Sequence, residues 1–341
     1  MTTVLIRGEG IAASCCAQLL VDRASLRVIV ETTVRPKLPA IMLGEVTQKL
    51  LEDVFSRRDL LQGLPQIRKR VVLWGESAEP LTLPHSAVVV SEQELLDRIH
   101  RQVAPVRRED RSDAPTLSAE WTIHTARPLP SSAVEHHFGS RMAAVAAVKL
   151  RPGHDAEACW IESLDHGWLF LLPSEAGTGW LLAAGDAVES LLEKSRLVAE
   201  QIGESGEVRG RFPAHPRMTD PLCEPGWLAC GSGAMSFDPL CGDGTGHAAR
   251  EAILGAAVVR AASEGADVDG LVAHYRTKLL AGFRRHLESC SGFYQSGHRG
   301  PWWTSELEEL RRGREWCNRQ LDGAAQFQYR VNGFSLEPLD D

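Results

Sequence analysis

At 341 residues the chain is long enough for two interleaved domains with sizeable cores. A formal net charge of −8 and a pI near 5.9 exclude the basic footprint of a nucleic-acid binder or of a protein drawn to an anionic membrane. No apolar run reaches the roughly 18 residues that a spanning helix requires.

The chain opens with a strand pattern, Val4 to Ile6, and no signal peptide is expected before it. The turn Gly8-Glu9-Gly10-Ile11-Ala12-Ala13 then leads into an apolar helical segment, Ser14 to Val21. A second strand, Leu26 to Val30, is closed by Glu31, 23 positions after Gly8. This is the dinucleotide-binding arrangement, competing with an ordinary tight turn between strand and helix. Glycines permit close backbone approach to a pyrophosphate at a helix N-terminus, and the acid can bind a ribose. Next comes Leu43-Gly44-Glu45-Val46-Thr47, opening a helix to about Phe55, with Thr47 or Glu45 suited to cap it. A strand over Arg70–Trp74 and a hairpin partner over Ala87–Val90 follow, then a helix capped by Ser91. Residues 104–118 are polar and proline-punctuated, a loop pattern.

From Arg141 to Ala184 the pattern turns to β, with strands expected over Met142–Leu150, Ala158–Ser163, Gly167–Leu172 and Gly179–Ala183. Glu189–Ile202 reads as one amphipathic helix. A second glycine cluster, Gly231-Ser232-Gly233 through Pro239, Gly242, Gly244, Thr245 and Gly246, opens a long alanine-rich helix. Helices are also expected over Val268–Cys290 and Thr304–Leu321. The eight cysteines (15, 16, 159, 223, 230, 241, 290 and 317) form no Cys-x-x-Cys pair, and no histidine cluster completes a zinc pattern. Free thiols in a cytoplasmic protein without a metal are expected.

In this order the pieces resemble the flavin monooxygenases built like para-hydroxybenzoate hydroxylase, and more narrowly their tryptophan-halogenase-like branch. The likeness rests on the N-terminal fingerprint with Glu31, Leu43 to Thr47, the 231–246 cluster, and Phe293-Tyr294 through Trp302-Trp303. It implies an α/β fold in which a Rossmann-like FAD-binding domain (1–118 and 226–265) is interleaved with a β-sheet substrate domain (119–225), followed by a helical segment (266–341). It implies FAD, with Gly8, Gly10 and Ala13 at the pyrophosphate and Glu31 at the ribose. Gly231, Ser232, Pro239, Gly242, Gly244, Thr245 and Gly246 would complete the cofactor site, and Pro239 and Glu45 would be the catalytic candidates. Three departures stand out: Gly231-Ser232 for the branch's Gly-Asp, Glu9 inside the phosphate turn, and Trp121–Arg127 in place of an Asp-Gly element. They predict weakened flavin binding.

Gly167-Trp168 through Pro173 is similar to the halogenases' Trp-x-Trp-x-Ile-Pro stretch. Lys69, within Arg68-Lys69-Arg70, is displaced from the place of their catalytic lysine, so chlorination is disfavoured. The chain looks most like the short flavoproteins of tryptophylquinone cofactor biogenesis. That implies hydroxylation of an aromatic substrate, the tryptophan of a partner protein, with electrons from an external donor. The alternatives are a halogenase, a prenyl-lipid reductase or cyclase, and a degenerate flavoprotein acting as a scaffold. His247 is expected either at a flavin edge or as a plain first-turn helix residue. His136-His137 are expected to be solvated, and Trp168 and Trp302-Trp303 to be core aromatics or pocket walls.

Overall fold

In the computed structural model, which describes residues 1–21, 25–32, 35–101, 107–109, 119–175, 177–241, 243–323 and 328–339, the N-terminal pattern forms as expected. Strand β1 (Thr2–Arg7) leads through the glycine turn into α1 (Ile11–Val21) and β2 (Leu26–Glu31). The chain continues through β3 (Ile41–Gly44), α2 (Glu45–Val54), β4 (Gln66–Leu73), β5 (Leu81–Val90), α3 (Glu92–His100), β6 (Arg107–Glu109), β7 (Trp121–His124) and β8 (Val134–His137). Then come β9 (Met142–Leu150), β10 (Ala158–Leu164), β11 (Gly167–Pro173), β12 (Thr178–Gly185), α4 (Val188–Lys194), α5 (Val198–Gln201) and β13 (Ile202–Pro213). The last part comprises β14 (Arg217–Asp220), β15 (Cys223–Glu224), β16 (Trp227–Ala229), β17 (Met235–Ser236), α6 (Gly244–Ser263), α7 (Val268–Gln295), α8 (Pro301–Leu321), β18 (Tyr329–Asn332) and β19 (Ser335–Pro338).

Two large sheets carry the architecture. The first runs β15-β16-β7-β1-β2-β6 and is parallel except for the β15–β16 hairpin. The second runs β13-β9-β12-β11-β10-β4-β5-β3 and is antiparallel except at β10–β4. This is the mixed α/β fold that the resemblance implies.

Sheet membership does not follow the chain order on either side of residue 119. Strand β7 pairs with β1 in the parallel sheet, whereas β3, β4 and β5, placed in the N-terminal domain, belong to the second sheet. The chain crosses between the sheets more often than its composition reveals. The segment 266–341 is not wholly helical, because β18 and β19 form a hairpin (Tyr329↔Pro338) held by Arg260 of α6, which donates to Phe334 O. Residues 107–109, expected in a loop, pair with β2, and the rest of that loop lies outside the described residues.

The expected helix over Glu189–Ile202 is broken at Ser195. Glu162, buried in β10, accepts the backbone N–H of Arg196 (2.7 Å), Leu197 (3.1 Å) and Val198 (2.9 Å), capping α5 and separating it from α4. A tertiary carboxylate thus overrides the helical period. Strand β13 was missed because it is an exposed, charged edge strand with three register shifts against β9.

Helix α1 is buried almost all round, packed between its sheet and α6, where the Cys16 thiol approaches Ala252 O (3.7 Å). Small side chains allow that close approach. Strands β10 and β11 are buried at every residue. On β10, Cys159 and Ile161 enter one core while Ala158 and Trp160 enter a second beneath α4 and α5. Among the described residues no helix is long and apolar enough to cross a membrane.

Candidate functional site

The first glycine turn needs its glycines. Gly8 has φ +116°, and an added Cβ would lie 2.5 Å from Thr125 Oγ1 and 2.9 Å from Ala126 Cβ. Gly10 has φ +113°, and its Cβ would lie 2.7 Å from Nη2 of Arg35. Both φ values lie where side chains are strained. Ala13 is buried one turn into α1. Glu31 ends β2 directly opposite Arg7 of β1 and accepts from Arg7 Nε (3.0 Å). The acid inside the turn is neutralised, since Glu9 is paired with Lys37. Arg35, over Gly10, is paired with Glu92, which also accepts the N–H of Leu38 (2.9 Å). Two cations therefore border the turn.

The second turn meets the first. Gly231 has φ +56°, and an added Cβ would lie 2.7 Å from the Cβ of Ala12. Its N–H donates to Glu251 of α6 (2.8 Å). Ser232 is exposed, and its hydroxyl donates to Thr125 O (3.0 Å). Thr125 in turn donates through Oγ1 to Arg7 O (3.0 Å), so one residue after β7 ties both turns together. The stretch Trp121–Arg127, read from the sequence as a departure, is this connector.

The third component joins the Gly44–Thr47 segment to the end of the second cluster. Thr47 does not cap α2; the N-cap is Gly44, without a side-chain bond. Its hydroxyl instead donates to Asp243 Oδ1 (2.7 Å), and both groups lie over the Cα of Gly246, where no side chain fits. Gly44 and Gly244 border open space, an added Cβ meeting nothing within 4 Å. Thr245 is half-buried in the first turn of α6, and Pro239 opens a half-buried 3-10 turn over 239–241. Gly242 lies outside the described residues. Glu45 is exposed and bonded to Lys49 (2.7 Å), which holds its carboxyl below the usual range.

Beneath the 239–241 turn lies a buried polar network that sequence reasoning missed. Arg141, at the entry to β9, donates through Nε to Asp238 Oδ2 (3.0 Å) and through Nη1 to Glu306 of α8. Tyr294 of α7 donates to the same Asp238 oxygen (2.9 Å) and accepts from Trp168 Nε1 of β11 (3.1 Å). The Arg141 guanidinium lies 4.6 Å from the centre of the Tyr294 ring. Burial opposes its charge, but Tyr294, Asp238 and Glu306 outweigh that and raise its pKa above the ordinary value. Asp238 Oδ1 accepts the Leu240 N–H (2.9 Å), and the Asp238 N–H donates to His286 Nε2 (3.0 Å). The turn carrying Pro239 is thus anchored to four elements at once. Trp168 and Tyr294 were visible individually, but nothing in one dimension connects them.

A cavity of about 580 Å³ opens between α6 and α7, lined in part by Phe237, His247, Glu251, Phe283 and His286. His247 stacks on Phe237 (3.9 Å between centroids) and is held down to about 4 by burial and by Arg250, so it is neutral near pH 7. Burial pushes Glu251 up to about 8, against its bond from Gly231. Trp303 is fully buried and donates to Leu164 O (2.9 Å), packing edge-on against Trp302 (4.9 Å). The His136-His137 pair is built into the fold rather than simply solvated. It lies on β8, His137 bonding His215 (3.0 Å) and His136 packing on Trp316 (4.8 Å). Lys69 is half-exposed on β4 and paired with Asp155 (2.5 Å).

No family model matches the chain, and no curated protein sequence does either. Solved structures do match in fold. The flavin-dependent halogenase CmlS superposes with a TM-score of 0.77 at 17% identity, covering 95% of this chain and 71% of that one. QhpG, a peptidyl tryptophan dihydroxylase essential for tryptophylquinone cofactor biogenesis, gives 0.74 at 20% identity over 89% and 78%. The myxobacterial chondrochloren halogenase CndH, a variant of the FAD-dependent halogenases, gives 0.71 at 14% identity over 95% and 91%. The chain has the fold that flavin-dependent halogenases share with a peptidyl tryptophan dihydroxylase.

Proposed function

We propose that the chain is an FAD-dependent monooxygenase that hydroxylates an aromatic substrate, the tryptophan side chain of a partner polypeptide. The observation that carries this reading is the meeting of the two glycine turns, with Gly231 against Ala12 and Thr125 bonded to both. Strands β1 and β16 run in the same direction in one sheet, flanking β7, so both turns lie at the carboxyl edge where such folds bind nucleotides.

The residues fit the group. Gly8 and Gly10 allow backbone approach to a pyrophosphate beside Ala13 and the α1 N-terminus, and Arg35 and Lys37 stand next to it as counter-charges. Glu31 has the position for a ribose. Gly231 and Ser232 would line the chain between the two ends. Pro239, Gly242, Gly244, Thr245 and Gly246 would border the ring, next to the open space at Gly44 and Gly244. Bound and reduced, the flavin supplies the activation of dioxygen; the protein positions the substrate and keeps water out. The Arg141–Asp238–Tyr294 network fixes the Pro239 turn in place for that task. We assign Glu45 no proton-transfer role, because it is exposed and bonded to Lys49.

Hydroxylation is favoured over halogenation because Lys69 is held in an ion pair on the sheet surface. The QhpG neighbour supports a polypeptide-borne tryptophan as substrate. The test is incubation of the purified chain with FAD, an external reductant, oxygen and candidate tryptophan-bearing polypeptides encoded beside it. Oxygen-mass additions on tryptophan, independent of chloride, are expected. A chlorinated product would replace hydroxylation with halogenation, and failure to bind FAD in any redox state would remove the reading.

A further inference from the structure

The structure assigns a second site: Cys241, His286 and Cys290 form a binding site for one soft divalent metal ion of the zinc type. His286 and Cys290 stand four residues apart on α7 and so share a face of the helix, while Cys241 comes from the 239–241 turn. The two Sγ atoms are 3.4 Å apart, Cys290 Sγ is 3.3 Å from His286 Nε2, and the three ligand atoms all lie within 4.8 Å of one another. Zinc at about 2.3 Å from sulfur and about 2.0 Å from nitrogen would space tetrahedral ligands by about 3.8 Å and about 3.5 Å. The two close pairs would open by a few tenths of an ångström, and Cys241 Sγ and the His286 ring nitrogen, within 4.8 Å of each other, would draw together to reach that.

The donor set selects the metal. Two thiols and an imidazole suit zinc and exclude the oxygen-seeking magnesium and calcium. Cys290 and His286 are buried, whereas Cys241 and His286 line the 580 Å³ cavity, so the fourth coordination position faces that space. The Asp238 N–H now donates to His286 Nε2, and loading through Nε2 replaces that bond. Sequence spacing concealed the site because Cys241 lies 45 positions before His286. The inference does not depend on flavin binding.

The test uses the full chain, reduced and stripped with a chelator, then titrated with cobalt(II) as a spectroscopic stand-in for zinc. One cobalt per chain is expected, with thiolate-to-cobalt charge transfer and intense tetrahedral d–d absorption, both displaced by zinc. Cys241→Ser, which leaves the Cys290 thiolate, should lose about half of the charge-transfer intensity per bound cobalt and bind cobalt at least about 100-fold more weakly, beyond the about 10- to 100-fold effect of outer-shell changes. Cys317→Ser, a buried thiol on α8 outside the cluster, should retain both. In the unsubstituted protein, zinc should also shield Cys241 from alkylation, which keeps the test valid if a variant misfolds. The proposal is overturned by a parent protein without the cobalt–thiolate spectrum, by a spectrum of undiminished intensity and affinity in Cys241→Ser, or by equal alkylation of Cys241 with and without zinc.

Discussion

Asp238 and Glu251 are buried carboxylates thirteen positions apart, and the fold treats them in opposite ways. Asp238 receives Arg141, the Tyr294 hydroxyl and a backbone N–H, delivered from β9, α7 and its own turn. Glu251 receives the Gly231 N–H on one oxygen, while its Oε1 has no hydrogen-bond partner among the described residues; burial pushes it up to about 8. Asp238 is paired with a cation that another element brings to it, whereas burial pushes Glu251 toward its neutral form. One carboxylate is clasped in an ion pair, and the other is enclosed under a glycine turn.

Removing the counter-charge should have the largest effect. Arg141→Met leaves Asp238 and Glu306 buried without their cation, and should cost about 3–5 kcal/mol in urea denaturation. Arg141→Lys should recover part of that loss. Substituting the lone acid should do the reverse and depend on pH. Folded Glu251 holds its proton to about pH 8, whereas the unfolded chain releases it near the ordinary value of 4.5, so its contribution falls as pH rises through that window. Glu251→Gln should therefore gain stability over the parent as pH increases, by about 5 kcal/mol across the window. Denaturation of both proteins at several pH values measures the gap, and a gap that does not widen would show that Glu251 is ionised.

The turn above Glu251 supplies a finer test. Gly231→Ala places a methyl against Ala12 at a positive φ, and should cost about 2 kcal/mol and weaken FAD binding measured by fluorescence titration. An exposed pair provides the lower limit of the comparison. Lys69→Ala breaks the bond to Asp155 at the surface and should change stability by less than about 1 kcal/mol, leaving the proposed hydroxylation intact. A large loss of turnover in that variant would instead restore a halogenase-like role for Lys69.

Local grammar was legible and long-range assembly was not. The turn at Gly8–Ala13, the four strands between Met142 and Gly185, the Ser91 cap and the long α6 could be read because period and turn chemistry act over a few residues. Which sheet a strand joins could not, as β4 and β7 show: a strand is expected over Arg70–Trp74 and only a departure over Trp121–Arg127, and neither pattern tells that β4 joins β10 or that β7 joins β1. The glycines of the candidate site were visible for the same local reason. The groups that hold them in place were not: Thr125, Glu251, Arg141 and Lys37 act through partners up to 165 positions away, as in the Arg141–Glu306 bond. A lone acid such as Glu9 reads as a defect until its partner, Lys37, is located in space.

The contact between Ala12 and Gly231 has an evolutionary corollary. The two positions are separated by most of the chain, yet share one van der Waals space. In relatives they should vary as a pair, enlargement at one demanding that the other remain minimal. A chimera that exchanges the N-terminal fingerprint without its distant counterpart should fold poorly even when each donor segment is sound.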